Sequence, residues 1–172
     1  MRLFVALPTP PEANAWILEH RPPLLPEGAR WLLPDSWHLT LVFLGEQPES
    51  FIEAAHQAIE PILQGHGALC LRPIRFAWHK RTLWVQLESD PVLEKTVKLL
   101  HEVLGVPFSP PFQPHITIAR SQRVLNWEGL PITDQPKFVF PIAYLYQSIL
   151  KPTGAEYIPL KRYFLRLSSN LL

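Results

Sequence analysis

Apolar residues along the chain fall into short blocks that switch between strand and helix periods. Arg2 to Leu7 (RLFVAL), Ala29 to Pro34 (ARWLLP) and Trp37 to Gly45 (WHLTLVFLG) are apolar runs of strand length, the last ended by its glycine. Ala68 to Trp78 and Thr82 to Ser89 read as two further strands divided by a polar turn at His79 to Arg81. His115 to Arg120, Lys137 to Phe140, Ile142 to Leu150 and Glu156 to Leu167 complete the strand set, with turn residues between them. Three blocks carry helical spacing instead. Pro10 to His20 opens with prolines and Glu12 in its first turn. Pro48 to Leu63 places Phe51, Ile52, Ala55, Ile59 and Leu63 on one face. Pro91 to Gly105 lines up Val92, Leu93, Val97, Leu100, Val103 and Leu104, with Gly105 as its stop. Short strands mixed with a few helices predict an α+β domain, and the order of elements in the second half resembles that of the first.

Composition narrows the class. A chain of 172 residues with 47% apolar content predicts one domain spanning 1–172, with a substantial core. Proline, at 20 residues, is more than twice its usual share of about 5%. Most of the prolines mark joints between the apolar blocks, where a missing N–H does least harm. Sixteen Lys and Arg against fifteen Asp and Glu leave no overall field to hold duplex DNA or an anionic membrane, so contact with nucleic acid must be local. The lone Cys70 rules out an internal disulfide and a Cys-based zinc cluster. MRLFVALP is too short for a signal peptide, no apolar stretch approaches membrane length, and a cytoplasmic monomer is expected.

The chemistry lies in a repeat. HLTL at His38 to Leu41 returns as HITI at His115 to Ile118, each copy emerging from a Pro-bearing loop. Side chains alternate along a strand, so His38 shares a face with Thr40, and His115 with Thr117, while the intervening apolar residues face a core. If the two polar faces meet, one imidazole can accept a proton and the other donate one, and the hydroxyls can hold non-bridging phosphate oxygens. Such a set suits in-line displacement at a phosphodiester. A metal site fits poorly, because the motifs carry no carboxylate and no H-E-x-x-H occurs. No glycine-rich phosphate loop, G-x-S-x-G or dinucleotide fingerprint is present.

Other residues stay open at this level. Regular alternation puts Arg120 on the apolar side of its strand, so it serves a phosphate only if a bulge or strand end turns it; a solvated arginine is the alternative. Trp37, Phe43, Trp84 and Tyr157 are either core residues or stacking platforms for a base. Arg72, Arg75, Lys80, Arg81, Lys161, Arg162 and Arg166 are either basic rims for an RNA strand or solvated strand edges. A nucleotide-binding module without turnover also remains open, as does a related cyclic or 2'-5' linked nucleotide as substrate.

The paired motifs resemble the signature of the 2H phosphoesterases, and the chain is similar to their bacterial RNA 2',3'-cyclic phosphodiesterase branch, historically called 2'-5' RNA ligase. RLFVALP, WHLTLVFLGE, RTLWVQL, PFQPHITIAR and YLYQSILKPTGAEYIPL carry the likeness over nearly the whole chain. The resemblance implies a bilobal, pseudo-two-fold α+β fold, with antiparallel sheets lining a central cleft and helices outside. It implies opening of RNA 2',3'-cyclic phosphate ends, or of a cyclic nucleotide, to the 2'-phosphate without metal or cofactor. His38 would protonate the leaving 3' oxygen and His115 would activate water. Thr40 and Thr117 would hold phosphate oxygens, assisted by Arg120. Where relatives often write Arg-Pro-Phe before the second motif, this chain has Pro110, Pro111 and Phe112. No K-x-D-G-like motif occurs, so any joining would be the ATP-independent reverse of hydrolysis.

Overall fold

The structure, a computed structural model, describes residues 1–129, 131–152 and 154–166. Along the chain run β1 (Arg2–Pro8), α1 (Pro11–His20), β2 (Ala29–Trp31), β3 (His38–Glu46), α2 (Phe51–Gln64), β4 (Leu69–Leu71), β5 (Pro73–Leu87) and α3 (Pro91–Val103). They are followed by β6 (His115–Trp127), β7 (Phe138–Phe140), β8 (Ile142–Lys151) and β9 (Gly154–Phe164), and a single 3-10 turn at Pro34–Ser36 separates β2 from β3. All three predicted helices are present. In α2 the buried residues Ala55, Ile59 and Leu63 recur every fourth position, the stripe that docks it on the sheet. α3 starts where the Asp90 side chain accepts the Leu93 N–H at 2.7 Å, with Pro91 at its first position. It stops at Gly105, whose φ of 67° lets its own N–H reach the Glu102 carbonyl and the Val106 N–H reach that of His101.

Seven strands form one antiparallel sheet in the order β2-β6-β3-β1-β8-β9, with β5 along the remaining edge of β6; β4 and β7 pair separately. β2 and β3 occupy the same edge of β6 in succession. Ala29, Arg30 and Trp31 lie opposite Ser121, Arg120 and Ala119, and Leu39 then lies opposite Ile116. The sheet therefore has two wings, β3-β1-β8-β9 and β2-β6-β5, whose strands β3 and β6 share the single rung Leu39–Ile116. Both rung residues are fully buried. They hold the same place in the two repeated tetrapeptides, so an approximate two-fold axis passes between them. β1, flanked on both sides, buries five consecutive residues from Leu3 to Leu7.

Three boundaries differ from expectation. His79 to Arg81 is not a break: β5 continues through it, with His79 opposite Asn126 and Lys80 opposite Leu125. The register shifts there, a single residue, Arg81, on β5 standing against Ser121 to Val124 on β6, and Lys80 adopts a φ of 56°. The triplet looks like a turn because it is polar and exposed, but a two-stranded ribbon running beyond the core exposes its residues equally. For the same reason β6 runs on to Trp127 past the expected end at Arg120. The apolar run Ala68 to Trp78 is instead divided near Arg72 into β4 and β5. Leu167, the expected end of the last strand, and residues 168–172 lie outside the described residues.

Candidate active site

Each H-x-T strand contains the same irregularity. Against β1, Val42 pairs with Val5 and Thr40 with Ala6, which leaves Leu41 as an extra residue. Against β5, Ala119 pairs with Leu83 and Thr117 with Trp84, which leaves Ile118 extra. The bulge falls three residues past the histidine in both strands. An extra residue resets the alternation of side chains. Leu41 and Val42 are consequently buried together, as are Ile118 and Ala119, and the next residue in each strand returns to the histidine's face. That residue is Phe43 in one strand and Arg120 in the other. The bulge resolves the parity of Arg120 in favour of the cleft.

Opposed residues of an antiparallel pair project to the same side of a sheet. With Leu39 and Ile116 opposed and turned into the core, the polar positions on either side of them share the other face. There, His38, Thr40, His115, Thr117 and Arg120 all line one cleft of about 440 Å³. Its remaining wall includes Arg2, Phe4, Arg30, Phe43, Lys151 and Tyr157, and among the described residues no Asp or Glu lines it. Among the described residues, no three His, Cys, Asp or Glu side chains converge as a metal-binding group, and no helix is long and apolar enough to cross a membrane.

Both imidazoles are held alike. His38 Nδ1 lies 2.7 Å from the Ser36 carbonyl oxygen, and His115 Nδ1 lies 2.8 Å from that of Gln113. A carbonyl can only accept, so Nδ1–H donates in each ring and Nε2 is left as the atom that exchanges a proton in the cleft. Burial pushes the pKa of His38 down to about 4; the Ser36 carbonyl opposes this, while the charges of Arg120 and His115 add to it. Burial also lowers the pKa of His115, against the pull of the Gln113 carbonyl and together with the charge of His79. Without a bound anion, both rings are predominantly neutral near pH 7.

Their apolar surroundings differ. Phe4 and Tyr157 stand 5.1 and 5.0 Å from the His38 ring, Tyr157 edge-on. His115 instead lies face to face with Trp84, with centroids 3.7 Å apart, and His79 also stacks on that indole, at 4.5 Å. Of the other aromatic candidates, Trp37 is core, whereas Phe43 is 63% exposed inside the cleft.

None of the suspected basic rim lines the cleft. Arg72 donates to the Gln135 carbonyl, Arg75 faces Glu128, Lys161 bonds Glu53, and Arg162 lies over Phe164. Pro110, Pro111 and Phe112 are also absent from its wall. The cations that do line it alongside Arg120 are Arg2, Arg30 and Lys151, none of which sequence analysis singled out. Arg30 is placed by pairing between segments about ninety residues apart, and local pattern carries no trace of that.

Residues 10–126 match the family model of the 2'-5' RNA ligase superfamily. The chain belongs to that superfamily. An RNA 2',3'-cyclic phosphodiesterase of Thermotoga maritima is 30% identical, with 91% of each chain covered. One of Thermus thermophilus is 30% identical, with 96% of this chain and 91% of that one covered. Among solved structures, TT0787 of Thermus thermophilus superposes with a TM-score of 0.78 at 27% identity, covering 97% of this chain and 99% of that one. The superfamily fold is thus present across the described residues, with three helices and a curled antiparallel sheet, and the resemblance to the 2H phosphoesterases holds.

Proposed function

We propose that this protein hydrolyses RNA 2',3'-cyclic phosphate ends to 2'-phosphates. The observation that carries the proposal is the matched pair of imidazoles, each anchored through Nδ1 to the carbonyl two residues before it and each sharing the cleft face with a threonine. Water attacks phosphorus in line with the 3' oxygen. As the new O–P bond forms, His115 Nε2 takes the water proton; as the P–O3' bond breaks, Nε2–H of His38 protonates the departing oxygen. Thr40 and Thr117 donate to the non-bridging oxygens, and Arg120 offsets the charge that accumulates on them. The negative phosphodiester counteracts the burial that keeps His38 neutral in the empty cleft, so binding loads the acid. Stacking on Trp84 favours the imidazolium that His115 becomes. Phe43, exposed at the end of the cleft away from Arg120, is the platform for the terminal base. With a 5'-hydroxyl in place of water, the same displacement joins two strands through a 2'-5' bond and needs no ATP.

The names of both relatives support this choice of substrate. Incubation with an oligonucleotide ending in a 2',3'-cyclic phosphate, followed by mass and positional analysis, tests it. Gain of one water, with the phosphate left on O2' and a rate indifferent to chelator, is expected. A cyclic end that is bound but never opened would leave only a nucleotide-binding module.

A further inference from the structure

Lys80 and Arg81, two of the cations in the suspected basic rim, stand where β5 and β6 change direction together, just beyond the rung Thr82–Arg120. Opposed residues share a face, so Thr82 and Trp84 lie on the cleft side with Arg120 and Thr117. His79 folds back to stack on Trp84 at 4.5 Å, which makes the corner a wall beside that face. The bend is fixed by two bonds. Thr82 Oγ1 donates to the His79 carbonyl at 3.0 Å, and the Arg123 N–H donates to Ser121 Oγ at 3.0 Å. Arg120 is thus followed along β6 by Arg123 and, across the rung, by Arg81 and Lys80, all three of them exposed. Arg123 lies 3.7 Å from Glu27, but both ends stand mostly in water, where such a pair is weak and a phosphate can replace the carboxylate. Lys80 and Arg81 have no ion pair among the described residues. Lys80 also holds a φ of 56°, a left-handed backbone that glycine or asparagine adopts with less strain. A cation kept at such a position points to a use for its charge. Two rungs further on, Trp127 is 45% exposed, so the corner sets an aromatic face beside its cations, the combination that holds single strands.

We propose that the β5–β6 corner, through Lys80, Arg81 and Arg123, binds the backbone of the RNA strand that leads into the cleft, so that the protein grips a strand rather than a lone cyclic nucleotide. The proposal rests on the phosphodiesterase reading above. Nucleotide stereochemistry sets the direction. In a ribose 2',3'-cyclic phosphate the base lies beyond C2' and the 5' carbon beyond C3'. With the base over Phe43, the 5' strand leaves past His38 and Arg120, and the corner is the next cationic surface along β6. The chain as a whole is nearly neutral, so a grip on nucleic acid has to come from a local cluster of this kind.

Hydrolysis of a nucleoside 2',3'-cyclic phosphate and of a short oligonucleotide with the same cyclic end tests this on the wild-type protein. The oligonucleotide should show a kcat/KM about tenfold higher, carried by KM. Its logarithmic salt dependence should also be steeper, by about 0.7 per contact as for single strands. The double variant Lys80→Gln, Arg81→Gln should remove most of that advantage. Lys80→Asn, which suits the left-handed backbone and so keeps the bend, should remove part of it. Arg162→Gln, which takes the same charge from β9 outside the cleft, should leave the advantage in place. Equal kcat/KM for the two substrates in the wild type would overturn the proposal. An advantage that survives the double variant, or one that Arg162→Gln reduces as much, would overturn it too. If the wild type opens neither compound, the phosphodiesterase reading itself fails and the strand site falls with it.

Discussion

From His38 to Phe43 and from His115 to Arg120 the chain builds one device twice. Each copy has an imidazole tied to the carbonyl two residues back, a threonine on the same face, and a bulge that turns the sixth residue into the cleft. The copies part at that sixth residue, an exposed phenylalanine in one and a guanidinium in the other, and in the neighbours of the ring. In the reaction we propose, the shared features serve proton transfer, which needs one group on each side of phosphorus. The unshared ones would serve the proposed substrate, which has a base at one end and a charged backbone at the other. The centre is thus nearly symmetric while the ends are polar opposites.

The comparison breaks most severely at the histidines. His38→Ala and His115→Ala should each lower kcat by at least about a hundredfold, since general acid and base steps are each worth about 10² to 10⁴. The double variant should fall little further, because the two act as one unit. Retention of near-normal turnover by either single variant, in a steady-state assay on a cyclic-ended oligonucleotide, would show that the symmetry is structural only.

Next come the sixth residues. Arg120→Gln should reduce kcat/KM by about ten- to a hundredfold, as expected for a lost charge-assisted contact, with part of the loss in kcat. Phe43→Ala should cost about tenfold and act mainly on KM, as a lost base contact does. Equal splits between kcat and KM in the two variants would erase the division between charge and stacking.

The smallest effect is on the pH profile. Both imidazoles have lowered pKa values in the empty cleft, His38 down to about 4. One must carry a proton and the other must not, so kcat/KM, which reports the free enzyme, should peak on the acid side of the ordinary imidazole pKa of about 6.5. Bound phosphodiester favours the charged form, so the optimum for kcat should lie at higher pH than that for kcat/KM. Coincident optima in a paired profile would mean that substrate does not load the acid.

Much of this was legible in the sequence because it is local. Helix stripes, the Gly105 stop and the polar faces of the two tetrapeptides follow from residue spacing alone. The bulges left a weak trace, since His-Leu-Thr-Leu and His-Ile-Thr-Ile alternate cleanly and then run into a second apolar residue, Val42 or Ala119, where a polar one was due. That doublet was the available clue to the orientation of Arg120. Arg30, by contrast, enters the site because β2 pairs with β6, and nothing in ARWLLP encodes which distant strand it will meet. His79 to Arg81 misled because exposure looks the same in a turn and in a ribbon outside the core.

The rung between Leu39 and Ile116 sets a limit on what this protein can accept. The proposed acid and base flank a crosspiece sealed in the interior, so widening the gap between them for a bulkier ester would mean breaking the core pairing rather than moving a loop. Diversity of substrates must therefore be negotiated at the two extremities of the groove, where side chains can be exchanged without disturbing the gauge at its middle.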